Sequence, residues 1–269
     1  MKVILITGTT SGFGKMIAEG LVKKGHRVYG TYLPNFDADR DAFGFPMLEF
    51  DITDDASVDR CVAGLIEAEG RIDVLINNAG VSIAGALEDT EADEARWQME
   101  VNFFGPLRMI RAVLPHMRLQ GSGRILTTGS MGGHVGLPYQ SIYCAAKYAL
   151  EGVNEALRLE LSGSGIDAAV VCPGDFNTGF TAARVYTRNA HSATHANQLA
   201  ITMGIAEKDE QNSPNPAMVA DLYVGLVDKP SLKVRYFVGS IMQRASIFLK
   251  WLLPASVFES LIRSTYKLP

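Results

Sequence analysis

The beginning of the chain joins a short apolar segment to a turn with three glycines. Residues 3–6 are Val-Ile-Leu-Ile, a run that predicts a buried strand. The glycines of Thr7-Gly8-Thr9-Thr10-Ser11-Gly12-Phe13-Gly14 permit a tight turn and a close approach of the backbone to another group. An amphipathic helix is predicted from about Gly14 to Lys24. A strand, a turn and a helix in this order indicate a fold in which strands and helices alternate.

The same alternation continues along the chain. Further strands are predicted at 27–32, 47–50, 72–76, 124–128, 168–172 and 233–238. Helices are predicted from Ser57, over 92–118 with a kink or boundary at Pro106, and over 143–161. Apolar strands separated by helices are typical of a parallel sheet that helices cover on both faces. The sequence therefore predicts one doubly wound α/β domain of about seven strands, spanning residues 1–269.

Residues 179–216 interrupt this alternation. They are rich in Ala, Thr, His and Asn, and they end in Ser213-Pro214-Asn215-Pro216. We expect this segment to cross over the active site as a substrate lid, because long irregular segments inside a compact domain are commonly functional.

Charge and cysteine content exclude several classes of function. The net charge of −4 gives no reason to expect a nucleic-acid partner. Cys61, Cys144 and Cys172 show neither a Cys-x-x-Cys pair nor a metal-ligand spacing, so a reduced, cytoplasmic setting is the simplest interpretation. His191 and His195 could face one ligand, but solvated histidines are favoured because a third ligand is not evident. We expect no metal site.

Polar and glycine-rich residues fall at the predicted carboxyl ends of the strands. They are residues 8–14, Asp51, residues 77–80, Ser130 and the pair Pro173-Gly174. Doubly wound parallel sheets bind their ligands at this edge. The sequence therefore predicts one shared site there.

The glycine-rich turn has the features of a nucleotide-binding loop. The helix that follows offers free N–H groups and the positive end of its dipole to a pyrophosphate. Asp51 could accept a hydrogen bond from an adenine amino group or cap the helix that begins near Asp54, and the adenine contact is favoured. Strand two ends in Tyr32-Leu33-Pro34, without the acid or arginine that would select the form of a dinucleotide. Asp37, Asp39 and Arg40 follow and leave that choice open.

Tyr143 and Lys147 are four residues apart on a predicted helix. This spacing brings a phenol and an ammonium group onto one face. A tyrosine ordinarily loses its proton near pH ~10, and a nearby cation is expected to lower its pKa towards the range for proton transfer at neutral pH. The pair arises by chance on many helices. Together with the upstream glycine loop, and with Ser130 thirteen residues before Tyr143, it indicates hydride transfer between a nicotinamide and a carbonyl or alcohol.

These motifs resemble the short-chain dehydrogenase/reductase family over residues 1 to about 180. The motifs are Thr-Gly-x-x-x-Gly-x-Gly at 7–14, Asn-Asn-Ala-Gly at 77–80, a serine before Tyr-x-x-x-Lys, and Pro-Gly after strand six. The resemblance implies a Rossmann-type fold and an NAD(P)(H) cofactor, with NAD or NADP not resolved. Residues 235–239 and the apolar tail resemble the branch of 17β-hydroxysteroid-dehydrogenase-like and retinol-dehydrogenase-like members.

The resemblance also implies the roles of individual residues. Tyr143 is the catalytic acid–base, Lys147 holds the nicotinamide ribose, and Ser130 hydrogen-bonds the substrate oxygen. Asn102 holds a proton-relay water. The cofactor-binding positions are Gly8, Thr10, Ser11, Gly12, Phe13, Gly14, Asp51, Ile52, Asn78, Ala79, Gly80, Pro173, Gly174, Phe176 and Thr178, together with Tyr143 and Lys147. The chain departs from the family pattern at Tyr32-Leu33 and in the Thr-Gly-Ser that ends at Ser130.

The C-terminal tail, residues 240–269, is apolar and basic. Lys250 and Pro254 interrupt any apolar run of ~20 residues, so a membrane span is not expected. The tail could pack as helices beside the substrate cleft, which is favoured, lie on a membrane surface, or form an oligomer contact. An apolar tail, with Leu137, Pro138 and Phe180, favours a lipophilic substrate such as a steroid, a retinoid or a fatty ketone.

The sequence therefore predicts an NAD(P)-dependent oxidoreductase that interconverts a secondary alcohol and a ketone. One alternative is an epimerase or dehydratase that uses the same tyrosine without net cofactor oxidation. Another is a non-catalytic protein that senses nicotinamide redox state. The resemblance implies a homodimer or homotetramer, and we expect a cytoplasmic enzyme with peripheral membrane contact as an option.

Overall fold

A computed structural model describes residues 1–37, 39, 41–179, 183–192 and 194–269. Arg40 and Phe180 lie outside the described residues. The strands within these ranges are β1 (Val3–Ile6), β2 (Arg27–Tyr32), β3 (Met47–Glu49), β4 (Val74–Asn77), β5 (Ile83–Ala84), β6 (Gly123–Thr128), β7 (Ile166–Pro173), β8 (Val185–Tyr186) and β9 (Arg235–Val238). The α-helices are α1 (Gly12–Lys23), α2 (Asp55–Glu69), α3 (Ala92–Met99), α4 (Gly105–Gln120), α5 (Ser141–Glu160), α6 (Ala196–Gln211), α7 (Ala217–Val227), α8 (Ile241–Leu252) and α9 (Ala255–Thr265).

The main sheet has seven parallel strands, as the sequence predicts. Their order across the described part of the sheet is β3-β2-β1-β4-β6-β7-β9. From β1, the chain adds β2 and β3 on one side of the sheet. It then returns to add β4, β6, β7 and β9 on the other side. The reversal lies between β1 and β4, and in folds of this kind the crevice at that point is the ligand site.

Apolar side chains of β1 point alternately to the two faces of the sheet. Leu5 packs in one buried cluster with α2 and α4, and Ile4 and Ile6 pack in a second cluster with α1 and α7. All three side chains are fully buried. Two hydrophobic cores, one on each face, explain why the strands are apolar throughout.

The predicted helix over 92–118 is divided at the expected place. A five-residue π-helical segment, Glu100–Phe104, separates α3 from α4, and the Gly105 N–H bonds the carbonyl five residues back at Glu100. Pro106 follows directly and has no N–H, so the carbonyl of Asn102 loses the donor that a continuous α-helix would supply. π-Helical segments are frequent at functional sites.

Residues 179–216 contain more regular structure than the sequence indicates. Strand β8 pairs with β5 in a small second sheet, and α6 occupies most of the remainder. His195 bonds Glu88 at 2.5 Å, which ties the segment to the loop before α3. The segment also contributes Gly179, Ala183, Arg184, Ala206 and Glu210 to the wall of the main cleft.

The tail forms α8 and α9. Ile247 of α8 and Phe258 of α9 pack against Met131 and Val135, which follow strand β6. After α9, Tyr266 lines the main cleft. Gln198 of α6 donates a hydrogen bond to the carbonyl of Lys267 at 3.0 Å. The tail therefore packs beside the cleft, the alternative that the sequence favours. None of the described helices is long and apolar enough to span a bilayer.

Candidate active site

One cleft of about 510 Å³ lies at the carboxyl ends of the central strands, within the size range of small-molecule sites. Most residues predicted from the resemblance line it: Gly8, Thr10, Ser11, Gly12, Phe13, Asp51, Ile52, Asn78, Ala79, Gly80, Ser130, Tyr143, Lys147, Pro173, Gly174, Phe176 and Thr178. Gly14 and Asn102 lie behind this lining. The fold thus gathers residues from five strand ends into one site.

The glycine-rich loop is shaped by close backbone contacts. Gly8 has a φ of +71°, and a Cβ atom at this position would lie 2.8 Å from the Cα atom of Ala79. A Cβ atom on Gly14 would lie 2.0 Å from the carbonyl oxygen of Gly8. Gly14 therefore acts through packing of α1 against the loop, which explains why it does not line the cleft.

The start of α1 is built to receive an anionic group. Ser11 precedes the helix, and its side chain makes no capping hydrogen bond. Gly12 has a φ of +55°, so a side chain there would be strained as well as close to Thr178. Ser11, Gly12 and Phe13 line the cleft at this helix end, where free N–H groups can bind a pyrophosphate.

Asn78 joins the glycine-rich loop to the end of β4. Its side-chain amide donates to the carbonyl oxygens of Thr7 at 3.1 Å and Gly8 at 3.0 Å. The Thr7 hydroxyl accepts hydrogen bonds from the backbone N–H groups of Asn78 and Ala79. These four bonds hold the two strand ends beside each other at the reversal of the sheet.

The structure separates the two alternatives for Asp51. Helix α2 begins at Asp55 with Asp54 as its cap, whose carboxylate accepts the Ala56 N–H at 3.0 Å. Asp51 instead accepts two bonds from Thr53, both at 2.8 Å, and lines the cleft. The capping alternative is therefore wrong, and the contact with adenine stays a prediction.

The end of β2 does not select between the two forms of the dinucleotide. Tyr32 and Leu33 line the cleft at this point. Of the described residues, neither Asp37 nor Asp39 belongs to the lining. The prediction therefore stays at NAD(P).

Ser130 and Tyr143 meet in the cleft. Ser130 follows β6, and its hydroxyl accepts the Gly132 N–H at 3.0 Å. Tyr143 lies in the first turn of α5. Its ring and the Ser130 hydroxyl both lie 3.3 Å from the position that a Cβ atom on Gly132 would take. Burial raises the pKa of Tyr143 to about 12, although the bond to Ser130 acts in the opposite direction. The phenol is therefore protonated at neutral pH.

Lys147 lies on the same helix face as Tyr143 but has a backbone partner. Its ammonium group donates to the carbonyl oxygen of Thr128 at 2.8 Å and lies 5.7 Å from the centre of the Tyr143 ring. Burial lowers the pKa of Lys147 to about 8. The expectation that Lys147 lowers the pKa of Tyr143 is wrong for the protein without cofactor, because desolvation of the phenol dominates.

The side chain of Asn102 is already occupied. Its oxygen accepts the Val81 N–H and its amide donates to the Val81 carbonyl, both at 2.8 Å. Asn102 is 1% exposed. Its predicted role in holding a proton-relay water stays a prediction.

Several polar residues of the cleft are absent from the sequence-based prediction. Asp175, Arg184, Glu210 and Tyr266 form part of its wall. Asp175 could have been suggested from the sequence, since it directly follows Pro173-Gly174. The other three come from distant segments that only the tertiary fold brings together.

A second cluster lies outside the cleft. His134 and Cys172 both contact Glu151, at 3.2 and 3.1 Å, and their ligand-type atoms lie within 4.8 Å of one another. Arg235 also bonds Glu151, at 3.0 Å. This cationic partner satisfies the carboxylate, so the cluster is explained as a buried ion pair with its neighbours.

The comparisons with known proteins establish the family. The family model described as short chain dehydrogenase matches residues 2–189. The chain therefore belongs to the short-chain dehydrogenase/reductase family and is an oxidoreductase of the NAD(P)-binding class, as the sequence predicts.

The chain is also similar to individual members of the family. The chain is 39% identical to 3-ketodihydrosphingosine reductase of Bacteroides thetaiotaomicron, with 98% of both chains covered. It is 32% identical to human 17-beta-hydroxysteroid dehydrogenase type 1, covering 87% of this chain and 76% of that protein. A solved short-chain dehydrogenase from Streptomyces avermitilis superimposes with a TM-score of 0.83 at 31% identity, covering 98% of this chain and 100% of that one. The predicted resemblance to the hydroxysteroid-dehydrogenase branch is thus confirmed.

Proposed function

We propose that this protein interconverts a lipophilic ketone and the corresponding secondary alcohol, with NAD(P)(H) as the hydride carrier. The observation that supports this most directly is that Ser130 and a buried, protonated Tyr143 are neighbours within the cleft. The two hydroxyl groups can donate together to one carbonyl oxygen.

The residues of the cleft fit the cofactor. The loop from Gly8 to Phe13 would hold the pyrophosphate at the start of α1, Asp51 would contact the adenine, and Lys147 would hold the nicotinamide ribose. Gly8 lets the loop lie against Ala79, since a Cβ atom there would overlap the Ala79 backbone. When bound, the cofactor supplies or accepts the hydride.

The protein's own groups manage the proton and the developing charge. During reduction, negative charge grows on the carbonyl oxygen, and donors placed there in advance often contribute the largest part of catalysis. Ser130 and Tyr143 donate to that oxygen, and Tyr143 transfers its proton to it. A phenol with a pKa of about 12 keeps this proton at neutral pH until the oxygen becomes basic.

The substrate side of the cleft favours a lipophilic molecule. Its apolar wall includes Val81, Trp97, Val101, Leu137 and Ala206. The name of the 39% identical relative, 3-ketodihydrosphingosine reductase, points to a long-chain ketone in particular. A steroid ketone is the second candidate, because of the hydroxysteroid dehydrogenase relative.

The test is reduction of three ketones by the purified protein with NADH and with NADPH. A long-chain 3-keto sphingoid base, a 17-keto steroid and dihydroxyacetone represent the alternatives. We expect loss of the reduced-nicotinamide absorbance with the long-chain ketone and none with dihydroxyacetone. Tight cofactor binding without oxidation by any ketone would instead favour the epimerase or the sensor.

We also propose that the tail contacts a membrane that contains anionic lipids. Helix α8 exposes Ile241, Phe248, Trp251 and Leu252 along one side, each with at least 66% of its surface accessible. Residues 231–269 hold six lysines and arginines and one glutamate, a formal charge of +5, whereas the rest of the chain has −9. Exposed aromatic groups beside basic residues are typical of interfacial helices.

Flotation with vesicles tests the membrane proposal. We expect binding to vesicles with anionic lipid at low salt, weaker binding to neutral vesicles, and loss of binding in Trp251→Glu. Leu159→Glu is the matched control, because Leu159 is 80% exposed on α5. Equal binding of both variants would contradict the proposal. The predicted homodimer or homotetramer is measured on the same samples without lipid, by light scattering after size-exclusion chromatography.

A further inference from the structure

Two carboxyl groups stand close to the reactive hydroxyl of the cleft. Asp175 follows strand β7, and Glu210 lies in the last turn of α6. Both line the cleft, and the negative charge of each raises the pKa of Tyr143. They therefore lie near the point where a substrate carbonyl would receive its proton.

Among the described residues, Asp175 forms no salt bridge. It accepts one hydrogen bond, from Gln243 at 2.6 Å. Burial and the neighbouring Asp209 both raise its pKa. The Gln243 bond and the charge of Arg184 act against this rise, but burial has the largest effect on the pKa of Asp175.

The nearest cation is already engaged. Arg184 bonds Glu210 at 2.7 Å and lies 3.8 Å from Glu207. Its side chain is only 3% exposed, so it is fixed in this position. One guanidinium thus pairs with Glu207 and Glu210 and also acts on the charge of Asp175. This end of the cleft keeps an excess of negative charge.

Such charge opposes the proposed chemistry for an uncharged ketone. Reduction develops negative charge on the carbonyl oxygen beside Tyr143, and nearby carboxylates disfavour that charge. A positive charge on the substrate itself would remove the conflict. It would pair with the carboxylates and would also stabilise the developing oxyanion.

Resting on the proposed function, we propose that Asp175, with Glu210 beside it, binds a protonated amino group carried next to the substrate's carbonyl group. The substrate is then an α-amino ketone with an apolar chain, in which the chain lies along the hydrophobic wall. The name of the 39% identical relative is consistent with this class, since 3-ketodihydrosphingosine has an amino group on the carbon beside its ketone.

The test compares two substrates that differ only in the amino group. One is a long-chain 2-amino-1-hydroxy-3-ketone, and the other is the same 1-hydroxy-3-ketone without the amino group. Asp175→Asn keeps the shape of the side chain and removes its charge. We expect kcat/KM to fall about tenfold or more for the amino ketone, as for loss of a charged hydrogen bond. For the other ketone kcat/KM should stay the same or rise, because one carboxylate no longer opposes the developing oxyanion.

The ratio of kcat/KM for the amino ketone to kcat/KM for the other ketone distinguishes an effect on substrate recognition from an effect on folding. A misfolded or merely weakened Asp175→Asn protein would lose both activities equally, and equal losses would overturn the inference. Asp221→Asn, on an exposed position of α7, is the matched control and should leave the ratio unchanged. If the unaltered protein reduces both ketones equally well, the inference fails while the proposed function stands. If it reduces neither, both fail.

Discussion

The ammonium group of Lys147 donates a hydrogen bond to the main-chain carbonyl of Thr128, 2.8 Å away. Thr128 is the last residue of β6, and Ser130 follows two residues later. The lysine thus connects helix α5 to the strand end that presents Ser130. It is buried with a single backbone acceptor, and this arrangement is expensive for a charged group.

Replacing Lys147 should therefore stabilise the fold. Burial lowers its pKa from 10.5 to about 8, a shift worth about 3 kcal/mol at ~1.4 kcal/mol per unit. The lost bond to Thr128 subtracts about 1 kcal/mol. We expect Lys147→Met to raise the free energy of unfolding by about 2 kcal/mol at pH 7, measured by urea denaturation, while activity and cofactor affinity fall.

The stabilisation expected for Lys147→Met should depend on pH, because it comes from a group whose pKa differs between the folded and unfolded chain. Below pH 8 the folded chain holds a buried charge, and the full cost is present. Between pH 8 and 10.5 the unfolded chain keeps a proton that the folded chain has lost, so this contribution to stability improves as pH rises. The advantage of Lys147→Met over the unaltered protein should therefore shrink across this range. Lys23→Met, at an exposed position of α1, should show no such trend; a constant advantage would contradict the assignment.

Tyr143→Phe should separate binding from chemistry. The ring remains to fill the buried position, but the proton donor is lost. General acid catalysis typically contributes ~10²–10⁴-fold, so we expect kcat to fall by at least about 10²-fold. The dissociation constant of NADPH, measured by fluorescence titration, should change little. Normal turnover would remove Tyr143 from the mechanism.

Ser130→Ala should reduce kcat by about 10²–10³-fold, the effect of removing one donor to a developing oxyanion. The same change removes the bond that lowers the pKa of Tyr143. Steady-state kinetics with the ketone substrate measures the effect. Ser162→Ala, at an exposed position after α5, is the control for loss of a hydroxyl. A similar small change in both variants would show that Ser130 does not contact the reacting oxygen.

The two reaction directions should respond differently to pH. A phenol with a pKa of about 12 is protonated throughout pH 6–9. Ketone reduction, which uses the phenol, should be nearly constant across this range. Alcohol oxidation requires the phenolate and should accelerate with pH, by up to about tenfold per unit. Initial rates in both directions provide the measurement, and a reduction rate that falls with a midpoint near pH 7 would place the pKa of the acid elsewhere.

Local patterns were sufficient to predict the central fold. Buried strands such as β1 are short apolar runs, and Pro106 marked the break between α3 and α4 before the structure showed a π-helical segment there. The predicted bounds differ from the observed ones by two residues at most for β2, β4 and β9. Strand β8 and helix α6 were missed, because their stability depends on contacts with distant segments.

The sequence predicted most of the residues that line the cleft, but it did not predict the pKa of Tyr143. Spacing alone placed Tyr143 and Lys147 on one face of α5, as observed. The direction of the Tyr143 pKa was wrong, because it is set by burial, which residue spacing does not encode. Glu210 and Tyr266 could not be assigned to the cleft from the sequence, because contacts between distant segments bring them there. Their positions follow from the packing of α6 and the tail.

Two glycine substitutions should have opposite effects on stability. Gly8 adopts a φ of +71°, and a Cβ atom there would meet backbone 2.8 Å away. We expect Gly8→Ala to lower the free energy of unfolding by about 2–4 kcal/mol, from the strained conformation and the overlap together, and to weaken NADPH binding. Gly152 lies in the exposed interior of α5, with no atom within 4 Å of an added Cβ. Gly152→Ala should raise the free energy of unfolding by about 0.5–1 kcal/mol. Urea denaturation measures both changes. If Gly8→Ala left both the stability and the NADPH affinity unchanged, this result would disprove the close approach of the loop to Ala79.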